Sequence, residues 1–533
     1  MKLTFYGAAR EVTGSCHCLE VNGKKILIDC GLQQGQDEKE NQQLPFHASL
    51  IDYVILTHAH IDHSGRLPLL VKDGFEGKIY ATGATCDLIS IMLRDSAHIQ
   101  EMDAKWANQK GRRAGKEPAV PLYTMLDAED TLEYLVRCQY NQPIDIAPGI
   151  RLMFTDAGHL LGSAYAQLWL EEDGIKKKIV FSGDIGNKSQ PIIRDPQVVK
   201  DADYVVMEST YGDRLHEPYR DYTKDLANII NDTLAGGGNV VIPSFAVGRT
   251  QELLYFLREI KEQHLVTSVS DFLVYVDSPL ASEATKIYDG DLTGYADEET
   301  IQVIKKGFQP IRFPGLRITQ TTEESKMLNE DPTPKVIISS SGMCEAGRIR
   351  HHLKHNLWRP ECSVIFVGFQ AMGTLGRSLL DGAKRIKLFS EEISVKAHIY
   401  NFRGLSAHAD RDGLLWWLQN FTQKPEQVFV VHGENDTCLN FVKTLAEEGY
   451  AAYAPNFEAI YDLASGSILD EGIEYEKLRP KTDRNKNVSY AYARLLQAVE
   501  QLQEVARHNE GGANKDLAKF ADQILALAQK WDR

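Results

Sequence analysis

The chain has 533 residues, of which 43% are hydrophobic and 25% are charged. These values exclude a largely disordered protein, and the length predicts more than one packed unit. The formal net charge of −15 argues against a protein that coats nucleic acid non-specifically, since neutralising phosphates needs a basic surface, although a local basic patch in a cleft stays compatible with it.

The first part of the chain alternates strands and helices. Short β-branched or aromatic runs bounded by Gly, Asp or Asn predict strands, and helical patterns cover residues 85–108 and 128–137. The predicted strands are residues 25–29, 53–57, 78–82, 152–155, 164–170, 178–182 and 204–207.

From about residue 222 the rhythm changes to helix, strand, helix. This alternation predicts a mostly parallel sheet wrapped by helices. The predicted helices are residues 225–234 and 251–261, and the predicted strands are residues 240–243, 272–276, 335–339 and 363–368. Strands resume at residues 427–432 and 451–455, and residues 490–507 and 515–531 carry helical periodicity. This tail is expected to pack on its own body or on a second subunit.

No part of the sequence has the features of a membrane span or an export signal. No run of about 18 consecutive apolar residues occurs, and residues 1–10 lack an apolar core. The eight cysteines are scattered and form no Cys-x-x-Cys pair, which predicts no disulfide framework. We therefore expect no membrane partner and a cytoplasmic location.

The most informative segment is residues 58–63, where three histidines and an aspartate follow a hydrophobic strand. Imidazole nitrogens and carboxylate oxygens suit zinc or a similar divalent metal. His58 and His60 are two residues apart, so on extended backbone they project to one side, while Asp62 and His63 can reach a second ion as the chain turns. One hexapeptide cannot complete two metal sites, so further ligands are expected at other strand ends.

Two candidates for these ligands are His159 and Asp184, each of which follows a predicted strand. Asp184 can bridge two ions through its two oxygens. Together with Asp29 and residues 58–63, they occur in an order that resembles the signature of the metallo-β-lactamase superfold. The resemblance implies an αββα sandwich with metals at one sheet edge and a supporting role for Asp29 beside a ligand.

Three later segments are similar to the three motifs of the β-CASP nucleases. They are residues 206–212 with Glu208, residues 405–410 with His408 and residues 430–434 with His432. The implied fold class is α/β, an αββα metallo-β-lactamase sandwich with an inserted α/β β-CASP domain and a C-terminal helical extension. The expected divisions are 1–212 and 396–465 for the sandwich, 213–395 for the insertion and 466–533 for the extension.

The same resemblance implies how the site works. His58, His60 and His159 would hold one zinc ion, Asp62, His63 and His432 a second, and Asp184 would bridge the two. The catalytic residues would be Asp62, Asp184, Glu208 and His408. A hydroxide activated by the two metals would attack phosphorus, and His408, supported by Glu208, would contact the scissile phosphate or protonate the departing 3′ oxygen.

Residues 345–411, the basic segment, carry eleven Lys and Arg against six Asp and Glu. Similar segments in the family line the nucleic-acid groove, and a helix start after a strand would aim N–H groups at a phosphate. The alternative is that these cations are ordinary solvated helix faces. The nominated phosphate-binding residues are Ser340, Ser341, Arg348, Arg350, Thr374 and Arg377.

These observations predict a zinc-dependent ribonuclease, endonuclease, 5′–3′ exonuclease or both, that acts in RNA processing or decay. The expected partner is single-stranded RNA, while single-stranded DNA and a homodimer are left open. One alternative is a zinc hydrolase of small esters or thioesters, which explains neither the insertion nor the Glu208, His408 and His432 set. The other is a non-catalytic RNA-binding relative, which should have lost metal ligands.

Overall fold

The structure is a computed structural model, and it describes residues 1–34, 41–112, 117–217, 221–368, 370, 373–402, 404–478, 499, 502, 505–506 and 514–531. The chain divides into two compact units, Met1–Tyr475 and Glu476–Arg533. Among the described residues, no helix is both long enough and apolar enough to cross a membrane.

The first unit contains all of the strands among the described residues. They are β1 (Lys2–Phe5), β2 (His17–Val21), β3 (Lys24–Ile28), β4 (Tyr53–Ile55), β5 (Lys78–Thr82), β6 (Leu135–Cys138), β7 (Ile144–Ala147), β8 (Ile150–Asp156), β9 (Ala164–Glu172), β10 (Ile175–Phe181), β11 (Tyr204–Met207), β12 (Val240–Pro243), β13 (Leu273–Val276), β14 (Leu316–Ile318), β15 (Lys335–Ser339), β16 (Ser363–Val367), β17 (Arg385–Leu388), β18 (Glu391–Ser394), β19 (His398–Phe402), β20 (Gln427–Val430), β21 (Ala452–Tyr453), β22 (Ile460–Asp462) and β23 (Ser467–Asp470).

The helices lie between these strands. They are α1 (Ile61–Ser64), α2 (Leu67–Lys72), α3 (Gly83–Gly111), α4 (Met125–Leu132), α5 (Tyr222–Ala235), α6 (Arg249–Glu262), α7 (Pro279–Tyr288), α8 (Glu298–Lys305), α9 (Thr322–Glu330), α10 (Ile349–Asn356), α11 (Leu375–Leu380), α12 (Arg411–Gln419), α13 (Asn435–Glu447) and α14 (Tyr475–Leu478). A short 3-10 helix spans Ala48–Leu50.

Two sheets pack face to face and form the core of the sandwich. The first has the strand order β23-β22-β1-β2-β3-β4-β5-β6, and the second has the order β21-β20-β11-β10-β9-β8-β7. Buried side chains such as Phe5 and Ile28 from the first sheet meet Phe154 and Phe181 from the second. Helix α3 packs on the outer face of the first sheet and α12 on that of the second, so the expected αββα layering is confirmed.

A third, separate sheet is formed by the part of the chain that lies between two strands of the second sheet. Strands β11 and β20 are parallel neighbours in the second sheet, yet the chain between them builds a separate six-stranded sheet of order β14-β13-β15-β12-β16-β19. Every strand pair in this sheet is parallel. Helices such as α6 and α10 bury apolar residues on it, so the predicted parallel, helix-wrapped insertion is present.

Some expected bounds differ from the observed elements. The helical pattern at 128–137 ends at Leu132, and the next residues form β6, because pairing with β5 overrides the local helical pattern. Strand β19 pairs with β16 of the third sheet, although the expected division at residue 395 assigns it to the sandwich. Strand β23 pairs with β22 of the first sheet, although it lies beyond residue 465.

The second unit contains the helix Asn514–Trp531, which matches the helical pattern at 515–531. Residues 490–507, the other expected helix of the tail, fall mostly outside the described residues.

Candidate metal centre

The predicted metal ligands lie at strand ends on one edge of the sandwich. Strand β4 ends at Ile55, the chain runs extended through His58 and His60, and α1 then begins at Ile61 with Asp62 in its first turn. Strands β8 and β10 end at Asp156 and Phe181, shortly before His159 and Asp184. Parallel pairing with β11 places His432, which follows β20, at the same edge.

A glycine in the left-handed conformation precedes both His159 and Asp184. Gly183 has φ +50°, and a Cβ there would lie 2.7 Å from the Thr57 side chain. Gly158 has φ +62°, and its Cβ would lie 2.6 Å from the backbone nitrogen of Pro196. A larger residue would clash and be strained at both positions, so these glycines let the two ligand-bearing turns approach their neighbours closely.

The ligand side chains form two groups that share Asp184. In the first, the Nε2 atoms of His58 and His159 lie 3.3 and 3.4 Å from Asp184 Oδ2. His60 Nδ1 lies 3.1 Å from His58 Nε2 and 3.2 Å from His159 Nε2. Asp184 therefore presents one carboxylate oxygen to a group of three imidazoles.

The second group faces the other oxygen of the same carboxylate. His63 Nε2 lies 3.2 Å and His432 Nε2 lies 3.6 Å from Asp184 Oδ1. Asp62 Oδ2 lies 3.5 Å from His432 Nε2. The structure thus brings together all seven residues that the sequence nominated as metal ligands, in the two groups that the resemblance implied.

The donor set fits divalent metal ions. Ligand atoms around a tetrahedral ion with bonds of about 2.0–2.1 Å lie about 3.3 Å apart, close to the separations within both groups. Asp184 Oδ1 and His432 Nε2 are buried and have no hydrogen-bond partner among the residues that the structure describes. Buried polar atoms normally have one, so these atoms match positions at which a metal ion would be the partner.

The charge states of the first group suit coordination. Burial lowers the pKa of His58 and His159, and it lowers the pKa of His60 to about 3. These imidazoles are therefore neutral at pH 7 and carry the free lone pair that a metal ligand needs. Burial alone would raise the pKa of Asp184, but the surrounding histidines hold it well below its usual range, so its carboxylate is ionised.

Asp29 orients the imidazole of His63 by binding its Nδ1 atom, the ring nitrogen that does not face Asp184. It is 2% exposed, its Oδ2 lies 2.7 Å from His63 Nδ1, and its two oxygens accept hydrogen bonds from the backbone nitrogen and the hydroxyl of Thr57. Because Nδ1 is held, His63 directs Nε2 at Asp184. Asp29 thus lies where the resemblance placed it.

Two threonines that the sequence reasoning did not nominate perform similar tasks. Thr57 Oγ1 lies 3.1 Å from His58 Nδ1, and Thr210 Oγ1 lies 3.0 Å from His432 Nδ1. Each belongs to a segment that was already singled out, beside His58 in one case and Glu208 in the other. The sequence feature that could have identified them is a threonine hydroxyl beside a motif at a strand end, because a ligand histidine needs a hydrogen-bond partner for its second nitrogen.

His408 and Glu208 form a third group next to the metal centre. His408 Nδ1 lies 3.1 and 3.2 Å from the two Glu208 oxygens, and its Nε2 lies 4.0 Å from Asp184 Oδ2. Glu208 is fully buried and also accepts the backbone N–H of Ile185 at 2.6 Å. Burial alone would lower the pKa of His408, but the carboxylates of Glu208 and Asp184 raise it to about 9.

The six nominated phosphate-binding residues lie around the strand ends and helix starts of the third sheet, and all are partly exposed. Arg348 forms an ion pair with Asp277 at 2.7 Å, and Arg377 forms one with Asp381 at 2.9 Å. Arg350 donates to the backbone oxygen of Glu345 at 2.9 Å. All three arginines therefore already have a protein acceptor.

The three hydroxyl residues among the six are also engaged. Ser340 Oγ donates to Ser278 at 2.9 Å, and Ser341 Oγ lies 3.4 Å from the backbone of Ala346. Thr374 caps α11 and accepts the backbone N–H of Arg377 at 3.2 Å. Among the described residues, no hydrogen bond or ion pair joins any of the six to the seven metal ligands.

Comparison with protein families gives three matches along the chain. Residues 9–130 match the metallo-beta-lactamase superfamily, residues 250–379 match the Beta-Casp domain, and residues 392–455 match the Zn-dependent metallo-hydrolase RNA specificity domain. The three matches follow the order of the sandwich, the inserted sheet and the return to the sandwich.

Several relatives cover most of this chain. A protein of Thermus thermophilus named Ribonuclease TTHA0252 is 38% identical over 450 residues, which are 84% of this chain and 97% of the relative. Proteins named Transcription termination factor FttA are also similar. The one from Methanocaldococcus jannaschii is 31% identical over 84% of this chain and 69% of its own length. The one from Pyrococcus abyssi is 31% identical over 86% of this chain and 70% of its own length.

Proposed function

This chain belongs to the β-CASP family of metallo-β-lactamase-fold ribonucleases, and on that premise we propose that it hydrolyses RNA phosphodiester bonds at a centre of two zinc ions. The observation that carries the proposal is that the two oxygens of Asp184 face two separate groups of histidines. One of its oxygens faces His58 and His159, and the other faces His63 and His432. Two ions held side by side by a shared carboxylate are suited to in-line displacement at phosphorus.

His58, His60 and His159 would hold one ion, Asp62, His63 and His432 the other, and Asp184 both. When bound, such ions supply Lewis acidity toward phosphate oxygens and lower the pKa of water. Asp29 keeps His63 in place and is itself bonded by Thr57, which also contacts His58, while Thr210 contacts His432. These ligand histidines are therefore oriented before substrate binds.

His408 is the proton donor in this proposal. Glu208 accepts at Nδ1, so the N–H at Nε2 points toward Asp184 and the metal centre. The ion pair with the buried Glu208 carboxylate raises the pKa of His408 and favours the protonated imidazole. A protonated Nε2 can donate a hydrogen bond to a phosphate oxygen and can then protonate the departing 3′ oxygen.

The two alternatives from the sequence fit the chain less well. A hydrolase of small esters or thioesters needs neither the inserted sheet nor the His408 and Glu208 pair. A non-catalytic RNA-binding relative would have no reason to keep every ligand in the two groups, and none of the seven is missing. Single-stranded RNA as the preferred form, single-stranded DNA as a further substrate, a homodimer and a cytoplasmic location stay predictions.

The experiment is a substrate panel with zinc-loaded protein. RNA labelled at the 5′ end, single-stranded DNA of the same sequence and an acyl thioester are incubated in parallel, with a chelator-treated sample as the control. We expect metal-dependent fragments from RNA, with a ladder from one end indicating exonuclease action and internal fragments indicating endonuclease action. Hydrolysis of the thioester with intact RNA would contradict the proposal.

A further inference from the structure

The outer face of the second sheet is only partly covered by α12. Trp417 on that helix packs against Tyr165 of β9, with ring centroids 5.0 Å apart, and the buried side chain of Val180 on β10 belongs to the same cluster. Farther along the same face, toward β8, a groove of about 830 Å³ lies next to the helix. This volume is in the range of ligand-binding clefts.

Strand register shows which side chains form the floor of this groove. Trp169 pairs across β9 and β10 with Lys178, and Gln167 pairs across β8 and β9 with Met153. These residues point to the same side as Tyr165, because positions two apart on a strand share a face. Trp416 on α12 forms one wall, and the segment 195–201 forms another.

Both tryptophans carry a lysine on their ring face. Lys178 Nζ lies 4.6 Å from the ring centroid of Trp169, and Lys188 Nζ lies 3.2 Å from that of Trp416. Both rings are half-buried. Grooves that bind single-stranded nucleic acid without sequence preference combine aromatic rings, on which bases stack, with cations that attract phosphates.

The groove also has the charge that such a ligand needs. Lys188 and Lys200, which line it and are exposed, form no ion pair within the part of the chain that the structure describes. Lys178 is paired with Asp201, whose side chain is 67% exposed. Three lysines, Lys178, Lys188 and Lys200, and two aspartates, Asp195 and Asp201, line the groove. Its lining is therefore slightly basic in a chain of net charge −15, which favours an anionic ligand.

One wall of the groove is continuous with the catalytic site. Gly186 pairs with His408 as an isolated β-bridge, and the backbone N–H of Asn187 donates to Ala407 at 2.9 Å. Lys188 is the next residue. Gln190 donates to the same carbonyl of Ala407 at 2.9 Å. The segment that supplies Lys188 to the groove therefore also contacts the loop that carries His408.

We propose that this groove, which we name the tryptophan groove, binds a segment of single-stranded RNA adjacent to the scissile bond, with bases on Trp169 and Trp416 and phosphates near Lys188 and Lys200. This inference rests on the proposed ribonuclease function. It assigns to the sandwich itself a part of the RNA-binding surface, separate from the inserted sheet. A neutral peptide would leave the unpaired lysines without a partner.

The test compares metal-loaded full-length variants on a labelled single-stranded RNA of about twenty nucleotides, longer than one protein module contacts. Binding is measured by anisotropy with a phosphorothioate-linked version that resists cleavage, and KM and kcat are measured with the ordinary RNA. We expect Trp416→Ala and Trp169→Ala to weaken binding and raise KM by at least about fivefold, the low end for loss of one stacked base. Turnover of bis-p-nitrophenyl phosphate, which is too short to reach the groove, should stay unchanged.

Matched controls are available in the same chain. Trp106 is 57% exposed and also carries a lysine, Lys110, at 5.4 Å from its ring, so Trp106→Ala removes a similar pair elsewhere and should leave binding unchanged. Trp416→Phe keeps a stacking ring and should keep most of the affinity. Lys188→Glu changes an exposed side chain, so it tests the groove even if a tryptophan variant fails to fold, and it should weaken binding and lower its salt dependence.

The outcomes separate the groove from the ribonuclease assignment. RNA binding that is the same in Trp416→Ala, Lys188→Glu and the unaltered protein would overturn the groove, and so would an equal loss in Trp106→Ala. A change from dimer to monomer in Trp416→Ala, measured by sedimentation, would identify the groove as a subunit interface instead. If the unaltered protein binds RNA through the groove but never cleaves it, the proposed function fails and the groove stands.

Discussion

The metal centre was predicted from a cluster of His and Asp residues, and the basic segment from a cluster of Lys and Arg residues. The two regions differ in the groups that these side chains contact. At the metal centre, the ligand atoms face one another, and within the described part of the chain Asp184 Oδ1 and His432 Nε2 have no hydrogen-bond partner. In the basic segment, Arg348 and Arg377 each face a carboxylate of the protein. An excess of basic residues is therefore a weaker predictor of a binding site than the spacing of metal ligands, because charged side chains commonly form ion pairs with neighbouring residues of the protein.

The largest effect should follow from removal of the metal ions. Treatment with a chelator should abolish RNA cleavage, and added Zn²⁺ should restore it, because Lewis acidity at the phosphate cannot be replaced by the side chains. RNA binding should decrease less, since the basic segment needs no metal. Cleavage rates and RNA affinity are measured on the same chelated and reconstituted samples. Full cleavage by metal-free protein would contradict the metal assignment.

Loss of the proposed proton donor should be the next largest effect. His408→Ala should lower kcat by about 10²–10⁴-fold, the range for general acid catalysis, while the bound metal measured by mass spectrometry stays unchanged. His355→Ala, at an exposed histidine on α10, serves as the control and should behave as the unaltered protein. Unchanged kcat and metal content in His408→Ala would remove His408 from the mechanism.

The next effect concerns the stability of the fold around the basic segment, where Arg348 is paired with Asp277. Asp277 is fully buried and accepts hydrogen bonds from His352 at 2.6 Å and Arg348 at 2.7 Å. Asp277→Ala removes the buried carboxylate that accepts from both side chains and leaves the Arg348 charge without its ion pair, so we expect a loss of about 3–5 kcal/mol in the free energy of unfolding. Urea titration at pH 7 measures it. A loss below about 1 kcal/mol would show that this pair does not stabilise the third sheet.

The same variant gives a pH dependence with a definite sign. Burial alone would raise the pKa of Asp277, but hydrogen bonds from His352 and Ser325 outweigh it and hold the pKa well below its usual range. A lowered folded-state pKa stabilises the protein above the unfolded pKa of about 3.9, and this stabilisation is lost as the pH falls below it. The difference between the unaltered protein and Asp277→Ala should therefore be full at pH 7 and shrink below about pH 4.

The smallest effect concerns phosphate binding by the basic segment. If Arg377 exchanges Asp381 for an RNA phosphate, Arg377→Gln should reduce the slope of log affinity against log salt concentration by about 0.7, the value for one contact with a single strand. Arg385→Gln is the matched control, because Arg385 is 69% exposed and is paired with Glu392 at 3.5 Å. An unchanged slope in Arg377→Gln would leave Arg377 as an ordinary helix-surface cation.

The sequence predicted the sandwich and the insertion, and the motifs that follow its strands pointed to ligands at one sheet edge, while the division of the ligands into two groups around Asp184 came from the family resemblance. It did not nominate Thr57 and Thr210 as partners of ligand histidines, since a hydroxyl is common beside strands. The pairing of Arg348 with Asp277 was also beyond sequence reasoning. The two residues are 71 positions apart and meet only because β13 and β15 are neighbours in the third sheet.

The most direct test of the central claim, that the shared carboxylate of Asp184 organises an RNA-cleaving centre, compares the unaltered protein with Asp184→Asn. Both are loaded with zinc and incubated with end-labelled single-stranded RNA, and fragments, bound RNA and metal content are recorded together. We expect fragments from the unaltered protein and none from Asp184→Asn, which should still bind RNA while holding less metal. Cleavage by Asp184→Asn at the unaltered rate would contradict this claim.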